Sequence, residues 1–200
     1  MNWKLSEFPD EQTYDAVIFD CDGTLVDNMG VHFEAWTQSL AEQGFGPEYF
    51  TEELFYAWAG HPTPSIVKQL NEKYQINIDL DTLRERRKSL FFANLNQAGL
   101  IQPVIEFLYA AKNRGLPIAV ASGGSYQAVS KTLIGFDMLD VFDAIVTADD
   151  VVNGKPNPEV FLKAAEQLDI EPQKCLVFED AIAGVKAAQA AGMQVVTVSK

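Results

Sequence analysis

The chain has 200 residues, 48% of them hydrophobic, enough for one compact domain, or one domain with a modest insertion, around a substantial core. Lys and Arg total 15 against 28 Asp and Glu, and the formal net charge of -13 removes any generic attraction to nucleic acid or to an anionic lipid surface. An anionic substrate must therefore be drawn in by a local cation or by a metal.

The opening stretch MNWKLSEFPDEQTYD lacks the basic start and apolar stretch of a signal peptide. No later apolar run approaches the ~18 residues of a membrane span, so the expected location is cytoplasmic. AVIFD (16–20) is the first predicted strand; it does not alternate with polar residues, which suits a strand covered on both faces in a parallel sheet. Two acids, Asp20 and Asp22, stand where it runs out of the core, followed by Gly23-Thr24.

Residues 28–96 break the pattern, because they contain no convincing strand and carry four amphipathic stripes instead. These are Phe33, Trp36 and Leu40; Leu54, Phe55 and Trp58; Ile66, Val67, Leu70 and Tyr74; and Leu83, Leu90, Phe91 and Leu95. Thr63-Pro64 is a good start for the third helix. A small helical cap domain over 28–96 is predicted, inserted into an α/β core made of 1–27 and 97–200, with hinges near 26–30 and 96–101.

Beyond the insert, IAVAS (118–122), AIVTA (144–148), CLVFED (175–180) and QVVTV (194–198) read as further buried strands. Helical patterns lie between them, at 125–134, at 158–168 after Asn157, and at 181–191 before Gly192. Alternating strands and helices predict a doubly wound, Rossmann-like parallel sheet, α/β in class. Cys21 and Cys175 fall at opposite ends of two strands, too far apart to bridge, and are expected as reduced thiols.

Ligands of open parallel sheets bind beyond the carboxyl ends of the strands. The polar residues at those ends are Asp20 and Asp22, then Ser122 with Gly123-Gly124, then Asp149-Asp150 and the loop Gly154-Lys155-Pro156, then Glu179-Asp180. A phosphate dianion among Asp20, Glu179 and Asp180 meets like charges that repel by ~4 kcal/mol per pair at ~4 Å and an effective dielectric of ~20. Lys155 alone cannot neutralise that, whereas a divalent ion can, and an all-oxygen site is what Mg²⁺ prefers.

The series DCDGT, ASGG, GKP and FED, in this order and with a helical insertion after the first, resembles the haloacid dehalogenase superfamily. Within it the chain is most similar to the β-phosphoglucomutase-like branch, which includes the fructose-1-phosphate phosphatase type. The resemblance spans roughly Asp15 to the C-terminus. It implies Mg²⁺ held by the side chains of Asp20 and Asp180, by the Asp22 carbonyl, and by Glu179 directly or through water. It also implies Asp20 as the nucleophile that forms an aspartyl phosphate, with Lys155 helping to keep it ionised, and Asp22 as general acid and base. Asp22 is expected to have a raised pKa from its acidic neighbours and a dry site. Thr24 would orient Asp22 or Asp20, and Ser122 with the Gly123 amide would bind phosphoryl oxygens.

His32 lies where the related mutases place a substrate-facing histidine; a hinge-packing role is the other reading. His61 falls in the loop that would form the recognition face of the cap, and is there either for specificity or as an ordinary polar loop residue. The run Arg84, Arg86, Arg87, Lys88 reads as a solvated face, Asp149 and Asp150 as loop organisers, and Trp36 and Trp58 as cap core. The expected activity is Mg²⁺-dependent hydrolysis of a small phosphomonoester, a sugar phosphate such as fructose 1-phosphate. A β-phosphoglucomutase-type mutase is the alternative, disfavoured because the loop 58–65 lacks the Lys and Arg that such mutases carry. A receiver domain fits less well, since it has no insert after the first strand and no acid two residues past its phosphoacceptor. The expected partner is a small phosphorylated molecule, with no nucleic acid and no membrane, and nothing requires more than a monomer.

Overall fold

The computed structural model describes residues 4–6 and 13–199. Its strands are β1 (Lys4–Leu5), β2 (Ala16–Phe19), β3 (Val26–Asp27), β4 (Gly99–Leu100), β5 (Ile118–Ala121), β6 (Ala144–Val146), β7 (Cys175–Glu179) and β8 (Gln194–Ser199). Its helices are α1 (Met29–Ala41), α2 (Glu52–Ala57), α3 (Thr63–Tyr74), α4 (Leu80–Asn94), α5 (Gln102–Asn113), α6 (Tyr126–Gly135), α7 (Glu159–Gln167) and α8 (Ile182–Ala190).

The main sheet runs β1-β8-β7-β2-β5-β6. The five predicted strands are parallel to one another, and β1 adds an antiparallel edge against β8. The sheet is therefore mixed rather than wholly parallel, because two residues at the chain start are too few to announce a strand. Every residue of β2, β5 and β7 is buried, the reason their sequences do not alternate.

The period of two divides these strands between two layers. Val17, Phe19, Val120, Leu176 and Phe178 face Val104 and Leu108 of α5 and Val129 and Leu133 of α6. Ile18, Ala119, Ala121 and Val177 face Val160, Phe161 and Ala164 of α7 and Ala187 and Ala188 of α8. Phe19 stacks on Phe178 across the β2–β7 pair, ring centroids 5.0 Å apart. Helix α5, which was not predicted, buries Val104, Ile105, Leu108 and Ala111 at helical spacing, with Pro103 in its first turn. Helix α7 begins at Glu159 with Pro158 outside it, and the Asn157 side chain accepts from the Glu159 N–H at 3.0 Å.

Helices α1 to α4 enclose a separate cluster that includes Trp36, Leu40, Phe50, Phe55, Leu70 and Leu83. The two chain passages between this bundle and the sheet pair with each other: β3 and β4 form an antiparallel ribbon, Val26 opposite Leu100 and Asp27 opposite Gly99. No strand was expected there, since two-residue segments carry no periodicity. Cys21 and Cys175 are free and buried. Ala16 pairs with Cys175, so the two thiols sit at opposite ends of neighbouring strands. Among the described residues no helix is long and apolar enough to cross a membrane.

Leu83 is fully buried where α4 meets the rest of the helical cluster. Leu83→Ala is expected to destabilise by about 2–5 kcal/mol through lost burial and a residual cavity, read from the urea midpoint.

Candidate active site

Strand β2 delivers Asp20 to the sheet end, where its N–H donates to the Phe178 carbonyl at 3.0 Å. The chain then turns tightly: the N–H groups of Leu25 and Val26 both donate to the Cys21 carbonyl, and Gly23 adopts φ 84. A Cβ at Gly23 would overlap the Asp180 carboxylate, so position 23 needs glycine for conformation and for space. Thr24 is fully buried and its hydroxyl donates to Asp180 Oδ1 at 3.1 Å. It thus orients Asp180, rather than the expected Asp20 or Asp22.

Lys155 is 4% exposed. Its Nζ donates to Asp20 Oδ1 at 2.6 Å, to Glu179 Oε2 at 2.7 Å and to the Ala121 carbonyl at 3.1 Å. Burial alone would lower its pKa, but Asp20 and Glu179 more than offset this and hold it above the ordinary lysine value. Glu179 accepts from the Ala181 N–H through its other oxygen at 2.9 Å, and a Cβ at Gly184 would overlap its carboxylate. Ser122 is buried at the end of β5, its Oγ accepting from the Gly124 N–H at 3.1 Å, with Gly123 exposed beside it.

Carboxylate oxygens of Asp20, Glu179 and Asp180 lie within 4.8 Å of one another. Burial, then Glu179, push Asp180 up to about 7 against the opposing pull of Thr24 and Lys155. Burial and Glu179 likewise hold Asp20 well above the usual carboxylate range, with Lys155 opposing. Three clustered carboxylates against one ammonium form a hard-oxygen donor set whose charge a divalent cation would complete, and these residues fit Mg²⁺.

Asp22 departs from expectation. Burial raises its pKa, but His32, Asn28 and Lys155 outweigh this and hold it below the ordinary value. His32 Nε2 lies 3.5 Å from Asp22 Oδ1, too far for a hydrogen bond, and Asn28 Nδ2 donates to the same oxygen. The other oxygen turns toward Gly124, where an added Cβ would lie 3.8 Å away. Asn28 is fully buried at the start of α1, a placement no motif in the sequence announces.

Above this rim the helical bundle closes a cavity of about 370 Å³. Asp20, Asp22, Ser122, Gly123, Lys155, Glu179 and Asp180 line its floor; His32, Trp36, Trp58, His61 and Arg87 line its roof. His32 also stacks on Phe91, centroids 4.1 Å apart, so it both packs near the hinge and faces the cavity. His61 Nδ1 is buried without a hydrogen-bond partner. The bundle rests on the sheet domain beside the site, since a Cβ at Gly60 would come within 3.3 Å of that of Ala183. Trp36 and Trp58 belong to the cap cluster as expected and also wall the cavity.

The basic run divides. Arg84 and Lys88 are exposed, and Arg86 pairs with Glu42 at 2.6 Å. Arg87, expected on the solvated face, turns inward: Nη1 donates to Thr63 Oγ1 at 3.0 Å and the guanidinium stacks 4.5 Å from the Trp36 ring centroid. The signal was present, because Arg87 lies at the centre of the helical stripe of Leu83, Leu90 and Phe91, whereas Arg84 and Lys88 lie at its margin. Gly184 was missed as well: a helical glycine costs ~1 kcal/mol relative to alanine, and here the Glu179 carboxylate occupies the space of a side chain. Asp149 and Asp150 organise the loop, accepting from the N–H groups of Tyr126 and Thr147, each at 2.9 Å.

An acidic, lysine-braced rim at the carboxyl end of a doubly wound sheet, roofed by inserted helices, defines an enzyme site whose carboxylate cluster could hold a hard metal ion. The family profile described as haloacid dehalogenase-like hydrolase matches residues 17–198, and the chain belongs to that family. It is 32% identical to "Fructose-1-phosphate phosphatase YqaB" of Escherichia coli (strain K12), covering 94% of this chain and 97% of that protein. It is 33% identical to a "Phosphorylated carbohydrates phosphatase" of Thermotoga maritima, covering 90% and 82%. The crystal structure of a β-phosphoglucomutase from Clostridium difficile shares the fold, with a TM-score of 0.77 at 24% identity over 91% of this chain and 83% of that one.

Because Asp180 rises from 3.8 to about 7 on folding, the native metal-free protein binds more protons than the unfolded chain between those values. Its contribution to stability therefore falls as pH rises from about 4 to about 7, and Asp20 acts in the same direction. Mg²⁺ is expected to raise the melting temperature more at about pH 7.5 than at about pH 5, where protons compete for the same oxygens. Scanning fluorimetry checks this; equal shifts at both pH values would contradict it. Gly184→Ala is expected to abolish most of the Mg²⁺-induced shift at the higher pH by displacing Glu179.

Proposed function

We propose that this chain is a Mg²⁺-dependent phosphatase that hydrolyses a small phosphomonoester, a sugar phosphate such as fructose 1-phosphate, through an aspartyl phosphate on Asp20. The observation that carries the reading is the buried Lys155 ammonium bridging Asp20 and Glu179 at the cavity floor, with Asp22 two residues along the same turn. The printed names of the E. coli and T. maritima relatives support the substrate class.

Asp20, Glu179 and Asp180 would hold the ion through side chains and Asp22 through its carbonyl. When bound, Mg²⁺ neutralises charge on the phosphoryl oxygens and keeps the carboxylates ionised. Lys155 holds Asp20 in line while the Ser122 hydroxyl and the Gly123 amide grip the phosphoryl group. An Asp20 oxygen attacks phosphorus, the bond to the leaving oxygen breaks, and Asp22 gives that oxygen a proton. Water then attacks the phosphorus of the aspartyl phosphate, Asp22 takes the proton, and phosphate leaves with Asp20 restored. His32 and Asn28 hold Asp22 ionised in the substrate-free site, the state that accepts a proton from water. A dianion arriving beside it raises its proton affinity, so Asp22 takes up a proton from solvent on substrate binding, and the proton it later regains from water returns to solvent when phosphate leaves. The β3–β4 ribbon is the natural hinge for admitting substrate and closing the roof over it.

A mutase must hold a second phosphate in the cap. The loop from Trp58 to Ser65 has neither Lys nor Arg, which favours hydrolysis, although Arg87 reaches the cavity from α4.

Phosphate release is measured with Mg²⁺ over a panel of sugar 1- and 6-phosphates, with a coupled assay for glucose 6-phosphate formed from β-glucose 1-phosphate. Asp20→Asn is expected to abolish release. Asp22→Asn should slow alkyl phosphates by about 10²–10⁴-fold and aryl phosphates, with better leaving groups, by less. Normal turnover by Asp20→Asn would sink the assignment, and glucose 6-phosphate without free phosphate would establish the mutase instead.

A further inference from the structure

Lys155 is buried, whereas Val152, Asn153, Gly154, Pro156 and Asn157 around it are exposed. Val152 is 92% exposed, so apolar packing does not hold the loop that delivers the ammonium to the site. Hydrogen bonds hold it instead. The Glu159 carboxylate accepts from the Val152 N–H at 2.8 Å through one oxygen and from the Asn153 N–H at 2.9 Å through the other, which also accepts from Asn153 Nδ2 at 3.0 Å. The Asn157 N–H donates to the Gly154 carbonyl at 3.1 Å and its side chain accepts from the Glu159 N–H, so the segment 152–159 closes on itself around Lys155. The Val152 and Asn153 amides hold the Glu159 carboxyl below its ordinary value, which keeps both of its oxygens acceptors. Phe161, fully buried two residues further along α7, lies against the Lys155 ammonium, 4.8 Å from ring centroid to Nζ. The start of α7 thus contacts the lysine at both ends, its backbone loop through Glu159 and its charge through Phe161.

A lysine carries its charge on a flexible four-carbon stem, so its ammonium is fixed only where its backbone is fixed as well. The ion pairs to Asp20 and Glu179 do not suffice for this, because a metal ion or phosphoryl group entering the rim competes for the same charged groups. Val151, Val152, Gly154 and Lys155 form part of the cavity wall but Glu159 does not, so its grip on the loop is untouched by what fills the cavity. We propose that Glu159 is a positioning residue for the reaction: by clasping the Val152 and Asn153 amides it fixes the backbone from which Lys155 reaches Asp20. It touches neither substrate nor the reacting atoms and acts through Lys155. Its effect on turnover rests on the phosphatase reading; its effect on the lysine rests on geometry alone.

Glu159→Gln keeps the shape of the side chain but turns an NH₂ group toward one of the two amides, so one acceptor of the clasp is lost. It is expected to lower kcat for phosphate release with Mg²⁺ by about ten- to a hundredfold with KM little changed. Glu159→Asp, still an acceptor at both oxygens, should recover part of that loss. In a Lys155→Met background Glu159→Gln should lower kcat no further, because the group it positions is gone. The lysine is also read without turnover. An ammonium held by Asp20, Glu179 and the Ala121 carbonyl exchanges its hydrogens slowly and gives a proton–nitrogen NMR cross-peak, assigned by its absence in Lys155→Met. That cross-peak should shift or vanish in Glu159→Gln and return in part in Glu159→Asp. A role confined to loop stability would lower the Tm of Glu159→Gln, change kcat by the same factor in both backgrounds and leave the cross-peak in place. That result, or wild-type kcat in Glu159→Gln, would overturn the proposal. If Glu159→Gln does not fold, kcat and the cross-peak of Glu159→Asp, each then displaced from wild type, decide in the same way. Absent phosphate release by the wild type, with the cross-peak still answering to Glu159, would count against the phosphatase reading; release with a cross-peak indifferent to Glu159 would count against this proposal.

Discussion

The site depends on one buried ammonium shared by two buried carboxylates. Lys155 bonds Asp20 and Glu179 at 2.6 and 2.7 Å from a position almost without solvent access. Taking those charges out of water is costly, and removing one partner of such a cluster typically costs about 3–5 kcal/mol because the remaining charge is stranded. The parallel pairing of β2 with β7, Phe19 opposite Phe178, sets the next residues Asp20 and Glu179 side by side within reach of one side chain. The first turns of the flanking segments then make room: Gly184 yields its side-chain space to Glu179, Gly23 yields its own to Asp180, and the Ala181 amide takes the second Glu179 oxygen.

The cluster also leaves the rim with a charge that a metal ion could complete. Lys155 satisfies part of the negative charge, and the remainder appears as the upward displacement of Asp20 and Asp180. Protons occupy those oxygens when no cation does, so metal binding and protonation are linked. Asp22 stands apart, its carboxylate tied to Asn28 and His32 from the first turns of α1. The group read as the proton carrier is thereby anchored to the inserted helices, while the group read as the nucleophile is anchored to the sheet.

That division extends to the whole cleft. The floor is made of strand ends that packing on both faces holds rigid, and the roof of helices whose own core is separate. On the proposed reading, a charge cluster on the sheet and a separate helical roof would let selectivity vary without disturbing that cluster. The roof offers a planar cation, two imidazoles and aromatic walls to whatever the phosphoryl group is attached to.

The central strands were legible in the sequence because strands buried on both faces must be continuously apolar, and the motif residues fell at their ends for the same reason. Strands β1, β3 and β4 were not legible, since two residues carry no pattern and exist as strands through a partner distant in the chain. The sign of the Asp22 shift was also beyond the sequence: proximity to Asp20 predicts a rise, and the tertiary approach of Asn28 and His32 reverses it. Arg87 was half legible, its position in the apolar stripe visible but its direction settled by where α4 packs. The sequence by itself determined the fold class, the order of the motifs and the identity of the charged groups, because burial and chain order are local or periodic properties. The tertiary structure decided which of those charges meet, since Coulomb and desolvation energies depend on distances between residues far apart in the chain.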